Sequence, residues 1–302
     1  MKISKNLNQL IGILLVFNIV LFSIIIFLFL ETNKVQVENY ESSSLSQTFT
    51  FLPKEVSGQI NISSRAYIIY DVGTRTVLSG KNESLRFAPA STVKVITALI
   101  ALEHYNLDTV LTVTGIDAVE GSKMDLVEGE QITVRNLLYG MMLPSGNDAA
   151  YILAKNYPDG VEAFVHKMNE KVKELNLANT KIFDPAGFDD RNYSTAFDLA
   201  RLASYAIENN DFAKIVSTSY ITVSDITGQI IHELYNLNEL LGVRGVNGVK
   251  TGFTDEAQGV LITSILQDDR TYIVVVLNSQ DRFFDTRNVI ERGIENIKKL
   301  PY

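Results

Sequence analysis

The chain has 302 residues, 46% hydrophobic and 21% charged, which is enough for one large domain or two modest ones with an ordinary core. With 35 acidic against 27 basic residues and no basic block, its net charge of -8 argues against nucleic acid or an anionic membrane surface as a partner. Cysteine is absent, which excludes disulfide scaffolds, thiolate metal sites and a cysteine nucleophile. The three histidines, His104, His166 and His232, lie too far apart for a local metal motif and are read as surface or satisfied side chains; neither a metal nor a cofactor is expected.

The first thirty residues are unlike the rest. No charge falls between Lys5 and Glu31, and residues 10–30 read LIGILLVFNIVLFSIIIFLFL. As a helix this run spans about 31 Å, close to the hydrocarbon core of a bilayer. A cleaved signal peptide would have an apolar region of about 7–15 residues followed by a small-residue cleavage site. Here the run is longer and ends Phe27-Leu28-Phe29-Leu30-Glu31. An uncleaved, single-pass anchor over 1–30 is expected, with Lys2 and Lys5 holding the amino terminus in the cytoplasm and the body outside. Residues 31–58, which include Glu41-Ser42-Ser43-Ser44, are polar and weakly patterned and read as a stalk. The folded domain is then 59–302.

Within it, the β-branched and aromatic residues of 66–72, then Gly73 and Thr76-Val77-Leu78, predict a hairpin. Val93, Ile96, Leu99 and Ile100 form one stripe of a helix over 92–105. Further helices are predicted over 133–143, 148–156, 161–175 and 194–209. Strand signals return over 215–223, 259–266 and 271–277, and a final helix is expected over 285–299. Strands at both ends with helices between them predict an α/β (α+β) fold: one antiparallel sheet with flanking helices and a helical lobe. The crevice between sheet and lobe is the natural place for a site.

Three short motifs carry chemistry. Ser91-Thr92-Val93-Lys94 stands at a predicted helix start, where i and i+3 share a face, so the Lys94 amine can reach the Ser91 hydroxyl. A serine is a weak nucleophile until a base takes its proton, and a lysine of lowered pKa can do so. The unpaired N–H groups of a helix start can stabilise an oxyanion nearby. Ser145-Gly146-Asn147 follows 54 residues later, between helices. Its hydroxyl can shuttle a proton, and its amide can orient Lys94 and accept from a substrate N–H. Lys250-Thr251-Gly252 offers a cation and a hydroxyl for a carboxylate, just ahead of the last strand pair, and Gly252 lets backbone approach closely. Each motif alone is ordinary capping or turn chemistry; S-x-N also occurs at Ser4-Lys5-Asn6. Their order and their places at element edges make coincidence the poorer explanation.

With these residues in view, the chain resembles the serine D-alanyl-D-alanine carboxypeptidases among the low-molecular-mass penicillin-binding proteins. Arg86-Phe87-Ala88-Pro89-Ala90-Ser91, Ser145-Gly146-Asn147-Asp148-Ala149, Phe183-Asp184-Pro185-Ala186-Gly187, Tyr193-Ser194-Thr195-Ala196 and Lys250-Thr251-Gly252-Phe253-Thr254-Asp255 are similar to blocks of that family. The resemblance implies a β-lactamase/transpeptidase-like fold over about residues 60–300. It also implies acylation of Ser91 with Lys94 as proton acceptor, Ser145 as relay, Asn147 against the substrate backbone, and Lys250 with Thr251 on the terminal carboxylate. The implied partners are peptidoglycan stem peptides ending in D-Ala-D-Ala, and β-lactam antibiotics as covalent inhibitors, at a bacterial cell membrane. Many relatives add a β-rich domain and a membrane-binding tail after this fold; here the amino-terminal anchor is expected to take the tail's place. Many also carry His where this chain has Phe253. Arg282 is a further carboxylate-binding candidate, although an ordinary surface arginine is the expectation.

Two rivals share the motifs. A class A β-lactamase would carry a glutamate in an E-x-x-L-N setting between the second and third motifs; Glu174-Leu175-Asn176 and Glu233-Leu234-Tyr235-Asn236 lack that spacing. A catalytically inactive peptidoglycan-binding protein would not need Ser91, Lys94 and Ser145 intact. A Ser/His/Asp hydrolase is weaker still, since no G-x-S-x-G occurs.

Overall fold

The structure is a computed structural model that describes residues 61–294 and Phe22. Contacts divide the chain into two units, Met1–Leu52 and Pro53–Tyr302. The expected anchor and stalk fall outside the described residues, Phe22 apart. Among the described residues no helix is long and apolar enough to cross a membrane.

The second unit has the α+β arrangement expected. Five antiparallel strands form one sheet in the order β2-β1-β9-β8-β7. They are β1 (Ala66–Asp71), β2 (Thr76–Lys81), β7 (Val246–Thr254), β8 (Gln258–Gln267) and β9 (Arg270–Ser279). The central strand β9 is covered on both faces, so it reads as a continuous apolar run. Ile273, Val275 and Leu277 join the core shared with the helical lobe. Tyr272, Val274 and Val276 alternate with them and pack with Val289 and Ile290 on the other side.

The lobe is built around α1 (Lys94–His104), whose residues 94–101 are all buried. Around it stand α2 (Val134–Met142), α3 (Asn147–Lys155), α4 (Gly160–Glu174), α5 (Ala196–Ala206) and α6 (Asn210–Val216). Two small hairpins edge the lobe: β3 (Val110–Thr112) with β4 (Gln131–Thr133), and β5 (Tyr220–Ser224) with β6 (Ile231–Tyr235). The closing helix is α7 (Arg282–Val289), followed by a wider turn at Ile290–Ile294.

Several expectations are corrected by local chemistry. Residues 215–216, expected to open a strand, close α6: the Asn209 side chain accepts from Asp211 and Phe212 N–H, and Phe212, Ile215 and Val216 are buried at helical spacing. The strand follows only at Tyr220. The helix expected from 194 begins two residues later because Thr195 caps it, accepting from Asp198 N–H. Asp281 likewise caps α7, which begins at Arg282, three residues before the expected start. Neither small hairpin was expected, apart from the overlap of β5 with residues 215–223. All four strands are three to five residues, too short for an apolar alternation to mark them.

Candidate active site

Ser91 stands in a tight 3-10 turn, Ala90–Val93, and Lys94 is the first residue of α1. The turn eclipses side chains three apart, which brings serine and lysine together. Lys94 Nζ is 2.9 Å from Ser91 Oγ. Ala90 is held at φ 46°, a left-handed backbone that costs a non-glycine residue about 1 kcal/mol or more. Two glycines let neighbouring backbone press on this turn. A Cβ at Gly187 would collide with the Ala90 carbonyl oxygen, and one at Gly252 would stand 3.1 Å from the Ser91 nitrogen. The close approach expected at Gly252 is thus present.

Lys94 is fully buried. Besides Ser91 its amine donates to Asn147 Oδ1 at 2.6 Å and to the Ala186 carbonyl at 2.8 Å. Burial pulls its pKa down to about 7, against the opposing pull of Asp184 and Asp148. A neutral amine has two hydrogens and one lone pair; with Asn147 and Ala186 accepting the hydrogens, the lone pair is left for the Ser91 hydroxyl. The geometry thus suits a base as well as an ammonium.

Asn147 opens α3, two residues after Ser145, which lies at φ 68° and is 4% exposed. Its amide hydrogens go to the Glu120 carbonyl at 2.6 Å, and its backbone N–H to the Ser122 carbonyl at 2.7 Å. Among the described residues no hydrogen bond joins Ser145 Oγ to Lys94. All three donors of the ammonium are already taken, so a relay through Ser145 begins only once one of them is released.

Lys250-Thr251-Gly252 lies just ahead of the strand pair β8 and β9, as expected, but inside a further strand, β7, which is the outer strand of the sheet and stands against the Ser91 turn. Lys250 is buried and donates to the Thr251 carbonyl at 3.1 Å. Burial lowers its pKa, and repulsion from Lys94 and Arg282 adds to that. Arg282 is therefore more than a surface arginine: it acts on Lys250, and its Nε is buried without a partner among the described residues. Lys250 thus stands within electrostatic reach of both Lys94 and Arg282, a basic cluster that suits an anionic ligand.

Three contributors escaped the sequence reading. The Ala186 carbonyl has no side-chain signature, although its block was visible. Asp184 shapes the loop that presents it, accepting from the N–H groups of Ala186, Phe188 and Asp189 and from Asn192 Nδ2. Asp148 does the same for the loop behind Asn147, accepting from Met124 and Leu126 N–H. Among the described residues no cluster of His, Asp and Glu could hold a metal ion.

An antiparallel sheet against a helical lobe, with a serine and a buried lysine on the turn between them, defines the serine–lysine class of acyl-transfer sites. The family model for D-alanyl-D-alanine carboxypeptidases (peptidase S11) matches residues 53–281. The chain belongs to that family. It is 38% identical over 227 residues to a D-alanyl-D-alanine carboxypeptidase of Streptomyces sp. strain K15, covering 68% of this chain and 78% of that one. It is 34% identical over 224 residues to the carboxypeptidase DacF of Bacillus subtilis, covering 72% of this chain but only 57% of DacF. The crystal structure of the Streptomyces K15 DD-transpeptidase superposes with a TM-score of 0.73 at 34% identity, over 78% of this chain and 98% of that one.

Proposed function

We propose that this protein is a serine D-alanyl-D-alanine carboxypeptidase that removes the terminal D-alanine from peptidoglycan stem pentapeptides. The observation that carries the reading is the 2.9 Å contact between Ser91 Oγ and the buried Lys94 amine. Neutral Lys94 takes the Ser91 proton as Oγ attacks the carbonyl carbon of the penultimate D-alanine. The C–N bond to the last D-alanine breaks, and the proton passes to the leaving amine with Ser145 as relay. Water then hydrolyses the ester and frees Ser91. Asn147 holds Lys94 and meets the substrate backbone. Lys250, Thr251 and Arg282 take the terminal carboxylate, and the unpartnered Arg282 Nε supports its inclusion. Gly252 keeps the strand edge close to the acylated serine. A cleft of about 490 Å³ beyond Asn147, lined in part by Glu120, Tyr151 and Phe188, gives the peptide arm room. The Streptomyces relative is named both carboxypeptidase and DD-transpeptidase; the two reactions share the acyl-enzyme and differ in the acceptor. The reading is tested by treating the protein with penicillin: intact-protein mass spectrometry should show one penicilloyl group, absent from Ser91→Ala.

The uncharged run over 10–30 supports a single-pass membrane anchor with the catalytic domain outside. Full-length protein should remain in membranes after alkaline carbonate extraction, whereas a version beginning at Val56 should be soluble and active. Recovery of a mature form lacking residues 1–30 would contradict the anchor.

A further inference from the structure

His232 lies on the inward face of the β5–β6 hairpin, opposite Val223. Both ring nitrogens are engaged: Nδ1 is 3.0 Å from the Met124 carbonyl oxygen, and Nε2 is 2.8 Å from Oε1 of Glu130. The imidazole is 4% exposed and the Glu130 side chain 0%. A carbonyl oxygen only accepts, so Nδ1 carries a hydrogen. An imidazole lone pair and a carboxylate both accept, so the Nε2 contact requires one more proton, on the ring or on Glu130. The other carboxylate oxygen accepts from Val127 N–H at 3.0 Å.

The contact reaches the active site through Met124. The Met124 and Leu126 N–H groups bond to the Asp148 carboxylate at 3.0 and 3.2 Å. Two and four residues earlier, the carbonyls of Ser122 and Glu120 hold the backbone and side chain of Asn147. Residues 120–130 are thus gripped between Asn147 and Asp148 on one side and His232 and Glu130 on the other.

We infer that His232 and Glu130 form a clamp that positions Asn147, and through it Lys94; the inference rests on the proposed roles of Ser91 and Lys94. Both are positioning residues. Removing either partner leaves the other a buried polar group without its hydrogen bond, and the segment behind Asn147 loses its hold. The surrounding charges do not replace the contact. Asp148 of α3 is occupied by backbone N–H groups, and Asp225 accepts from its own turn at Thr227, Gln229 and Ile230. Glu233 projects from the opposite face of β6, and Lys123, Asp125 and Glu128 are exposed on the gripped segment. Among the described residues the ion-pair partner of Glu130 is His232.

Glu130→Gln separates the contact from the carboxylate. Its amide N–H can donate to Nε2 while its oxygen still accepts from Val127, so the clamp still closes. The measurement is the rate of penicilloyl transfer to Ser91 in full-length parental protein, Glu130→Gln, Glu130→Ala and His232→Leu, with circular dichroism as the folding control. Glu130→Gln should keep the parental rate, whereas Glu130→Ala and His232→Leu should be about tenfold slower or more. Parental rates in folded Glu130→Ala or His232→Leu, or a loss in Glu130→Gln equal to that in Glu130→Ala, would overturn the clamp. Should His232→Leu not fold, the comparison of Glu130→Gln with Glu130→Ala decides alone. Parental protein that never acylates would instead overturn the Ser91–Lys94 reading, and the clamp with it.

Discussion

Lys94→Arg is expected to slow acylation of Ser91 at least about 10²-fold, because the substitution keeps the positive charge and removes the base. Arginine does not titrate in the working range, so it offers Ser91 donors and never a lone pair. In the parental protein burial brings Lys94 down to about 7 from the usual 10.5. The sign follows: below about pH 7 the amine is protonated and idle, and the acylation rate should climb as pH rises through that value, then level. The same shift affects stability. Between about 7 and 10.5 the unfolded chain binds a proton that the folded chain does not, so Lys94 makes the fold more stable as pH rises through that window. Lys94→Met fills similar volume with no charge and separates the two effects. It should fold, relieve the burial penalty at low pH, and still fail to acylate. Penicilloyl transfer followed by mass spectrometry checks both variants, with circular dichroism as the folding control. Parental rates in Lys94→Arg would make Lys94 a structural residue.

The penicillin adduct on Ser91 is expected to outlive the peptide acyl-enzyme by orders of magnitude. Hydrolysis of the ester needs a water delivered and deprotonated. With D-alanine gone, the peptide intermediate leaves room for that water, whereas the leaving group of a penicillin stays tethered and blocks the approach. A β-lactamase overcomes this with a dedicated carboxylate; the two carboxylates nearest Lys94 and the two that the sequence motifs single out are committed elsewhere. Asp184 and Asp148, whose charges reach Lys94, are committed to backbone N–H groups. Glu174 pairs with Lys171 on α4, and Glu233 projects from the outer face of β6. Without such a base the barrier stays high, and each 1.36 kcal/mol slows the step about tenfold. The adduct should persist through many peptide turnover times. Its rapid loss with multiple-turnover penicillin hydrolysis would make the protein a β-lactamase instead.

The site was more legible in the sequence than parts of the fold, for a physical reason. Ser91 and Lys94 meet because they are one helical turn apart, a relation that spacing alone expresses. Asn147 meets them across 53 residues of chain, and only the three motifs taken together pointed to that. The K-T-G motif is legible as a strand edge ahead of the last strand pair, but β7 itself is not, because Gly248, Lys250 and Gly252 interrupt the apolar alternation that marks a strand. Residues 215–216 misled in the other direction: β-branched side chains suggested a strand, and the Asn209 cap decided for a helix. The support around Lys94 was hidden differently. The Ala186 carbonyl and the backbone N–H groups gathered by Asp184 and Asp148 belong to atoms that every residue has. His232 was read as a surface or satisfied histidine; it proved buried, with both nitrogens bonded to a segment more than a hundred residues earlier.

Release of D-alanine from a pentapeptide ending in D-Ala-D-Ala tests the central claim most directly. Parental protein should liberate one D-alanine per peptide and leave the tetrapeptide, at a rate that depends on Ser91 and is abolished by prior penicillin. No D-alanine from protein that is folded and carries the penicilloyl group, or equal release by Ser91→Ala, would contradict it.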